Sequence, residues 1–166
     1  MMPNHISMIM DGNRRFAWNR SMQTQAGHSA GKQKLKEVMR WVLDLKIRYL
    51  TVYALSTENL ISRDKDELDT LFDLYISGLR EISQDPLIHE NKVRVQVVGR
   101  LELLPEKVRR AINETQEATS EYSEFLFTIC LAYGGREEIV DAVKEIAQEH
   151  ASGTVSYTHL TLPTKA

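Results

Sequence analysis

Cysteine is almost absent from this 166-residue sequence. The lone Cys130 sits in the apolar run FLFTICLAY and has no partner for an internal disulfide. That fits a reducing, cytoplasmic setting with a buried structural thiol. Long hydrophobic runs are also missing. None approaches the roughly 20 apolar residues of a membrane span, and the N-terminus lacks the charged-then-apolar pattern of a secretory signal, so a soluble chain is expected. There is no internal repeat and no linker that would divide two domains. Neither a G-x-x-x-x-G-K-[ST] loop nor a G-x-G-x-x-G turn occurs, and YGGR at 133–136 is too short to stand for either, which removes the common nucleotide-binding signatures. What remains, 42% hydrophobic and 27% charged residues, suits one globular domain around a single core.

Net charge is only −2, but it is unevenly spread. Residues 1–48 hold nine Lys/Arg against three Asp/Glu, whereas residues 49–150 hold eleven against twenty. A basic N-terminal third fits an anionic ligand there. The acidic remainder argues against a nucleic-acid surface, which spreads positive charge along a whole face.

Two hydrophobic periods alternate along the chain. HISMIM (5–10) reads as a short buried strand, YLTVYAL (49–55) is β-branched and aromatic, VRVQVVG (93–99) alternates with period two, and FLFTICLAY (125–133) is nearly continuous. Between them, Leu35, Val38, Met39, Val42 and Leu45 share one helical stripe, as do Leu68, Leu71, Phe72, Tyr75, Leu79 and Ile82. A third helix is expected from Pro105 and a fourth from about Glu137 to His150, with Ile139, Val143 and Ile146 inward. Strand and helix alternating four times predicts an α/β fold with a parallel β-sheet and helices on its faces.

The C-terminus differs. From Ser152 to Thr164 there is no Asp, Glu, Lys or Arg, and SYTHLTLPTKA has no helical periodicity. Residues 1–153 are therefore read as the domain, and 154–166 as a non-native or disordered tail of the kind that adapter read-through produces.

The stretch MIMDGNRRFA (8–17) carries the strongest chemical signal. In open α/β sheets ligands bind beyond the carboxyl ends of the strands, and Asp11 stands just past the first of them. Gly12 permits a tight turn, Asn13 tolerates unusual backbone angles, and Arg14 and Arg15 offer forked donors suited to phosphate oxygens. A carboxylate would repel such an anion unless a divalent cation lies between them, and one carboxylate plus substrate phosphates is a common way to hold Mg²⁺. A surface ion pair of Asp11 with Arg14 or Arg15 is the plainer alternative. His28 and Ser29 are placed near the start of the first long helix, where free N–H groups favour an anion. STENLISR (56–63) follows the second strand, so Ser56, Glu58, Asn59 and Arg63 face Asp11 if strands one and two are neighbours, although a capped loop explains the same residues.

MDGNRRFA, the GH-x-x-G at 27–31, YALSTEN at 53–59 and AYGGREEI at 132–139 together resemble the cis-prenyltransferases, the undecaprenyl and dehydrodolichyl diphosphate synthase family. The paired arginines look more like the archaeal and eukaryotic branches than the bacterial DGNGRW form. The resemblance implies elongation of an allylic diphosphate, such as farnesyl or geranylgeranyl diphosphate, by isopentenyl diphosphate, with cis double bonds and loss of diphosphate. It implies Mg²⁺ held with the help of Asp11, and a diphosphate cradled by Gly12, Asn13, Arg14 and Arg15. It also implies Phe16 at the start of the prenyl-chain site, further contacts from His28 and from Ser56, Thr57 and Glu58, and a proton-removal role for Asn59. A neutral amide is a poor base, so orienting water or diphosphate is the better role for Asn59. A prenyl tunnel against the 68–82 helix, a homodimer of the intact protein and peripheral membrane contact for product release are further implications.

Several departures from the family pattern stand beside these. Thr24 replaces an arginine that Arg20 would have to supply. Leu60 follows Asn59, and Arg63 comes one position late, as after a one-residue insertion. The family's C-terminal third, with its isopentenyl diphosphate site, lies beyond this chain, so the chain alone is expected not to turn over. Two rival readings are a non-catalytic cis-prenyltransferase-like partner subunit and a generic phosphate-binding α/β domain.

Overall fold

The computed structural model describes residues 2–153, so the tail at 154–166 lies outside the described residues. Four strands form one sheet: β1 (His5–Ile9), β2 (Tyr49–Tyr53), β3 (Val93–Val98) and β4 (Phe125–Cys130), in the order β1-β2-β4-β3. All three pairings are parallel, with Ile9 opposite Tyr53 and Tyr53 opposite Cys130. The expected parallel α/β sheet is thus present, and β1 and β2 are neighbours.

Two long helices supply the expected stripes: α2 (Thr24–Asp44) and α4 (Lys65–Gln84). Three short ones do not announce themselves by periodicity: α1 (Asn13–Asn19), α3 (Thr57–Ser62) and α5 (Pro86–Glu90). After β3 a single 3₁₀ turn leads to α6 (Glu106–Ala118), with Pro105 at its N-cap position. The core joins Leu50 and Val52 of β2, Val93, Val95 and Val97 of β3, and Phe127 and Ile129 of β4 to Met39, Val42 and Leu43 of α2 and to Val108 and Ile112 of α6. Each such side chain contributes about 1.5–3 kcal/mol relative to leaving it in water.

The two edges are treated differently. On the β3 edge, the N–H groups of Val95 and Val97 donate to Thr119 Oγ1 (3.1 Å) and Gln116 Oε1 (2.7 Å), so α6 satisfies the open ladder and blunts it. The β1 edge, in contrast to the buried strand expected, leaves His5, Ser7 and Ile9 exposed on one face. The period-two pattern of a half-covered strand is hidden there by the apolar Ile9.

The chain divides into two compact units, residues 1–133 and 134–166, and each is described by itself. The second carries α7 (Gly135–Ala151), with Glu137 and Glu138 in its first turn and His150 in its last, as the helix dipole favours. Among its described residues nothing in that unit covers Ile139, Val143 and Ile146, which stay exposed although their spacing predicts an inward face.

Candidate functional site

The site begins where β1 ends. The Met10 N–H still donates to Tyr53 O (3.1 Å), and the chain then turns through Gly12 at φ +85°, a left-handed conformation that costs a side-chain-bearing residue about 1–2 kcal/mol. The turn places Asp11 and the start of α1 beyond the carboxyl edge of the sheet. Asp11 Oδ1 accepts from the Gly12 N–H, and Oδ2 from Arg15 Nη2 (3.2 Å). Both partners of that ion pair are about three-quarters exposed, so it contributes only about 0–1 kcal/mol and a stronger ligand can take it apart.

Two glycines hold this turn against α2. A Cβ at Gly27 would lie 2.2 Å from the Asn13 carbonyl oxygen and 2.9 Å from the Ala17 Cβ. One helical turn on, a Cβ at Gly31 would lie 2.7 Å from Asn13 Oδ1. The four-residue spacing of GHSAG therefore makes a shallow slot in which α1 and the Asn13 amide sit.

His28 lies between those glycines. It is not at a helix start as the sequence suggested, because α2 already begins at Thr24 and His28 is a full turn inside it. The imidazole is 9% exposed, and its Nε2 has no hydrogen-bond partner; Glu67 Oε1, at 3.6 Å, is too far for one. Burial, and then the Arg63 guanidinium, hold its pKa below 6.5, with Glu67 opposing them and Arg14 adding to the lowering. His28 is thus neutral at pH 7. Because the unfolded chain takes up this proton and the folded one resists it, stability is full above pH 6.5 and falls as pH drops from there through the lowered folded value. Urea unfolding between pH 8 and 5 is expected to show a stability loss that is smaller in His28→Gln; an unchanged loss would place the titration elsewhere.

The segment after β2 comes next. Ser56 caps α3, its Oγ accepting from the Asn59 N–H (2.9 Å), so the capped-loop reading is correct for Ser56, and Glu58 lies in the first turn. Thr57 is buried, and its N–H donates to Tyr133 O (3.2 Å), while Ser56 and Tyr133 form a parallel bridge. That ties YALSTEN to the chain leaving β4. Arg63 ends α3 with only 14% of its side chain exposed; its Nη1 donates to Glu67 Oε1 (2.9 Å), and its buried Nε has no partner.

Sequence reasoning missed Glu67. It receives Arg63 from its own chain segment, Arg14 from α1 at 3.7 Å and His28 from α2 at 3.6 Å, and so joins three of the expected site residues. The i,i+4 spacing of Arg63 and Glu67 was the one visible signal. Asn13, His28 and Arg63 also line one end of a cavity of about 160 Å³ between α2, α4 and the sheet. Its lining is mainly apolar, with Leu35, Val52, Leu71, Leu74 and Leu79, and Lys32, Lys36, Arg40 and Asp85 border it as well. Tyr75 stands in this wall with its hydroxyl donating to Ala54 O (3.2 Å), and burial pushes its pKa up to about 12, so the wall carries no phenolate.

A basic rim opening on an apolar shaft has the chemistry to take an amphiphile with an anionic head. Residues 9–164 match the family model described as "Putative undecaprenyl diphosphate synthase". The chain belongs to this family of prenyltransferases. A tritrans,polycis-undecaprenyl-diphosphate synthase (geranylgeranyl-diphosphate specific) of Methanopyrus kandleri is 50% identical over 147 residues, 89% of this chain and 54% of that protein. Its counterpart in Pyrococcus horikoshii is 48% identical over 153 residues, 92% of this chain and 58% of that protein. Among solved structures, lavandulyl diphosphate synthase from Lavandula x intermedia, in complex with dimethylallyl diphosphate, superposes with a TM-score of 0.89 at 31% identity, covering 96% of this chain and 67% of that one. The chain therefore spans a little over half the length of the archaeal relatives.

Within this family member, Asp11, Gly12, Asn13, Arg14 and Arg15 gather at the β1 end, and Arg14 and His28 meet Arg63 through Glu67. Phe16 is 38% exposed, and the Arg20 guanidinium stacks 4.2 Å over its ring. Among the described residues no group of three or more His, Cys, Asp or Glu converges to hold a metal ion.

Proposed function

We propose that the intact protein elongates an allylic diphosphate with isopentenyl diphosphate to give a cis-polyprenyl diphosphate. The observation that carries this reading is the pairing of an apolar cavity with a rim holding two buried, unpartnered nitrogens, His28 Nε2 and Arg63 Nε. Buried polar groups are ordinarily satisfied, so such a pair at one cavity mouth fits a ligand with anionic oxygens. The names of the archaeal relatives favour geranylgeranyl diphosphate as the primer.

In this reading Arg14, Arg15, the Gly12 N–H and the Asn13 amide receive the allylic diphosphate, with His28 and Arg63 behind it. Phe16 and the α4 wall take the prenyl chain. As the bond from the allylic carbon to its diphosphate oxygen breaks, negative charge grows on the leaving group, and guanidinium and N–H donors fixed beforehand stabilise it. C4 of isopentenyl diphosphate bonds to the allylic carbon, a proton leaves C2, and a new cis double bond forms as diphosphate departs. Ser56, Thr57 and Glu58 border the reacting carbons, and Asn59 orients water or diphosphate for the proton's removal.

One exposed carboxylate at a phosphate site fits Mg²⁺ that takes its other ligands from phosphate and water, and Asp11 would hold it. That ion supplies charge neutralisation at the diphosphate. The isopentenyl diphosphate site belongs, in this proposal, to the part of the relatives' length that this chain does not span, and the intact protein is a homodimer with peripheral membrane contact.

Binding of geranylgeranyl diphosphate, followed by intrinsic tryptophan fluorescence with Mg²⁺ present, tests the reading directly. Geranylgeraniol should bind at least tenfold more weakly; equal binding of alcohol and diphosphate would remove the anion site. Gly31→Ala is expected to push the Asn13 amide aside and weaken the diphosphate several-fold while the fold survives, since a side-chain end can move. An unchanged dissociation constant would take Asn13 out of the site.

A further inference from the structure

Glu67 is an odd residue to find at an anion-binding rim. It sits in the first turn of α4, where a carboxylate is favoured by the helix dipole, and its pairing with Arg63 is the ordinary i,i+4 kind. Those facts would make it structural if they were the whole of its surroundings. They are not, because Arg14 from α1 and His28 from α2 converge on the same carboxylate. Only one of the three approaches, Arg63 Nη1 at 2.9 Å, is a hydrogen bond; Arg14 at 3.7 Å is a charge contact, and the neutral His28 ring at 3.6 Å is a polar contact too long for a hydrogen bond. The carboxylate thus neutralises the cluster without saturating it, and the buried Nε2 of His28 and Nε of Arg63 stay unpartnered.

We propose that Glu67 is a resident counter-anion, which holds Arg14, Arg63 and His28 together while the site is empty and competes with diphosphate for them. The inference rests on the anion-site reading above and adds to it a positioning residue and a reason for product release. The largely buried Arg63 guanidinium and the exposed Arg14 guanidinium repel each other if no anion lies between them, and a tethered carboxylate removes that cost without leaving. A diphosphate brings more oxygens than Glu67 and a larger charge, so it can take over the 2.9 Å contact and satisfy the two orphaned nitrogens as well. The same competition acts on bare diphosphate, which must leave after every elongation step. A carboxylate that returns to Arg63 shortens its stay, while the allylic substrate keeps the additional hold of its chain in the cavity.

The test measures binding of inorganic pyrophosphate by isothermal titration calorimetry, at low salt and with a chelator present so that only the chain's own groups act. Glu67→Gln keeps the shape and removes the charge. Wild type is expected to bind, and Glu67→Gln to bind at least fivefold tighter, with a steeper salt dependence because one more uncompensated positive charge faces the ligand. A merely structural Glu67 would give the opposite result, since loosening Arg63 weakens the site. Equal or weaker binding by Glu67→Gln, with wild type binding, overturns the counter-anion alone. No binding by wild type overturns the anion site and this inference with it. If Glu67→Gln does not fold, Glu67→Asp decides: withdrawing the carboxylate by one methylene should tighten pyrophosphate at least twofold, and no tightening contradicts the proposal.

Discussion

Asp11→Ala in the intact protein is expected to lower kcat/KM on the order of a hundredfold or more, the usual scale for removing a group that stabilises charge in the transition state. The melting temperature should move by no more than a few degrees. Asp11 is about three-quarters exposed, and its ion pair with Arg15 is of the kind that contributes about 0–1 kcal/mol, so the fold loses little with it. The two effects separate chemistry from stability. In addition, Asp11→Asn, which keeps the acceptor and loses the charge, should stay as impaired as Asp11→Ala if the carboxylate serves a cation. Steady-state kinetics beside a thermal melt reads both, and full activity in either variant would take Asp11 out of the mechanism.

Gly27→Ala is expected to do the reverse, with its first effect on the fold. Its methyl would meet the Asn13 carbonyl oxygen at 2.2 Å and the Ala17 methyl at 2.9 Å, and the first of these is backbone that cannot swing away. Either α1 lifts from α2 or the turn at Gly12 distorts; overpacking of this kind costs about 3 kcal/mol, which for a chain of this size is roughly 6–12 °C in melting temperature. Because α1 carries Arg14 and Arg15, diphosphate affinity should fall with it. A melting curve coincident with wild type would show that α1 does not pack on α2 as described.

The contrast between Gly27 and Asp11 shows what the sequence could and could not disclose. The sheet and the long helices were readable because their apolar residues repeat with period two or 3.6 over many positions, as in VRVQVV and in the Leu71, Tyr75, Leu79 and Ile82 stripe. Helices α1, α3 and α5 were not, since five to seven residues hold too little of the period. The start of α2 lies earlier than the sequence suggests because Gln23, at its N-cap, makes no side-chain cap bond, so no residue marks the boundary. Asp11, Arg14 and Arg15 stood out by composition against an apolar strand. Gly27 and Gly31 were visible only as spacing, and their meaning depends on α1 lying across them.

Glu67 was hidden for a different reason. Its neighbours Asp64 and Asp66 suggest a plain acidic helix start, and nothing local indicates that residues 14 and 28 would reach it. The folding that carries Arg14 and His28 to α4 is tertiary, so the charge balance of the site becomes legible only when the helices are in place. The same holds for the cavity: each apolar residue of α4 reads as core until the space between it and α2 is seen.

Incubation of the intact protein with geranylgeranyl diphosphate, labelled isopentenyl diphosphate and Mg²⁺, with the product's chain length and double-bond geometry determined, tests the central claim most directly. The account predicts label in polyprenyl diphosphates longer than the primer, every added unit cis, and release of one diphosphate per unit. Absence of elongation by a folded protein that binds the primer would contradict it and point to the non-catalytic partner role, and added trans units would contradict the cis assignment.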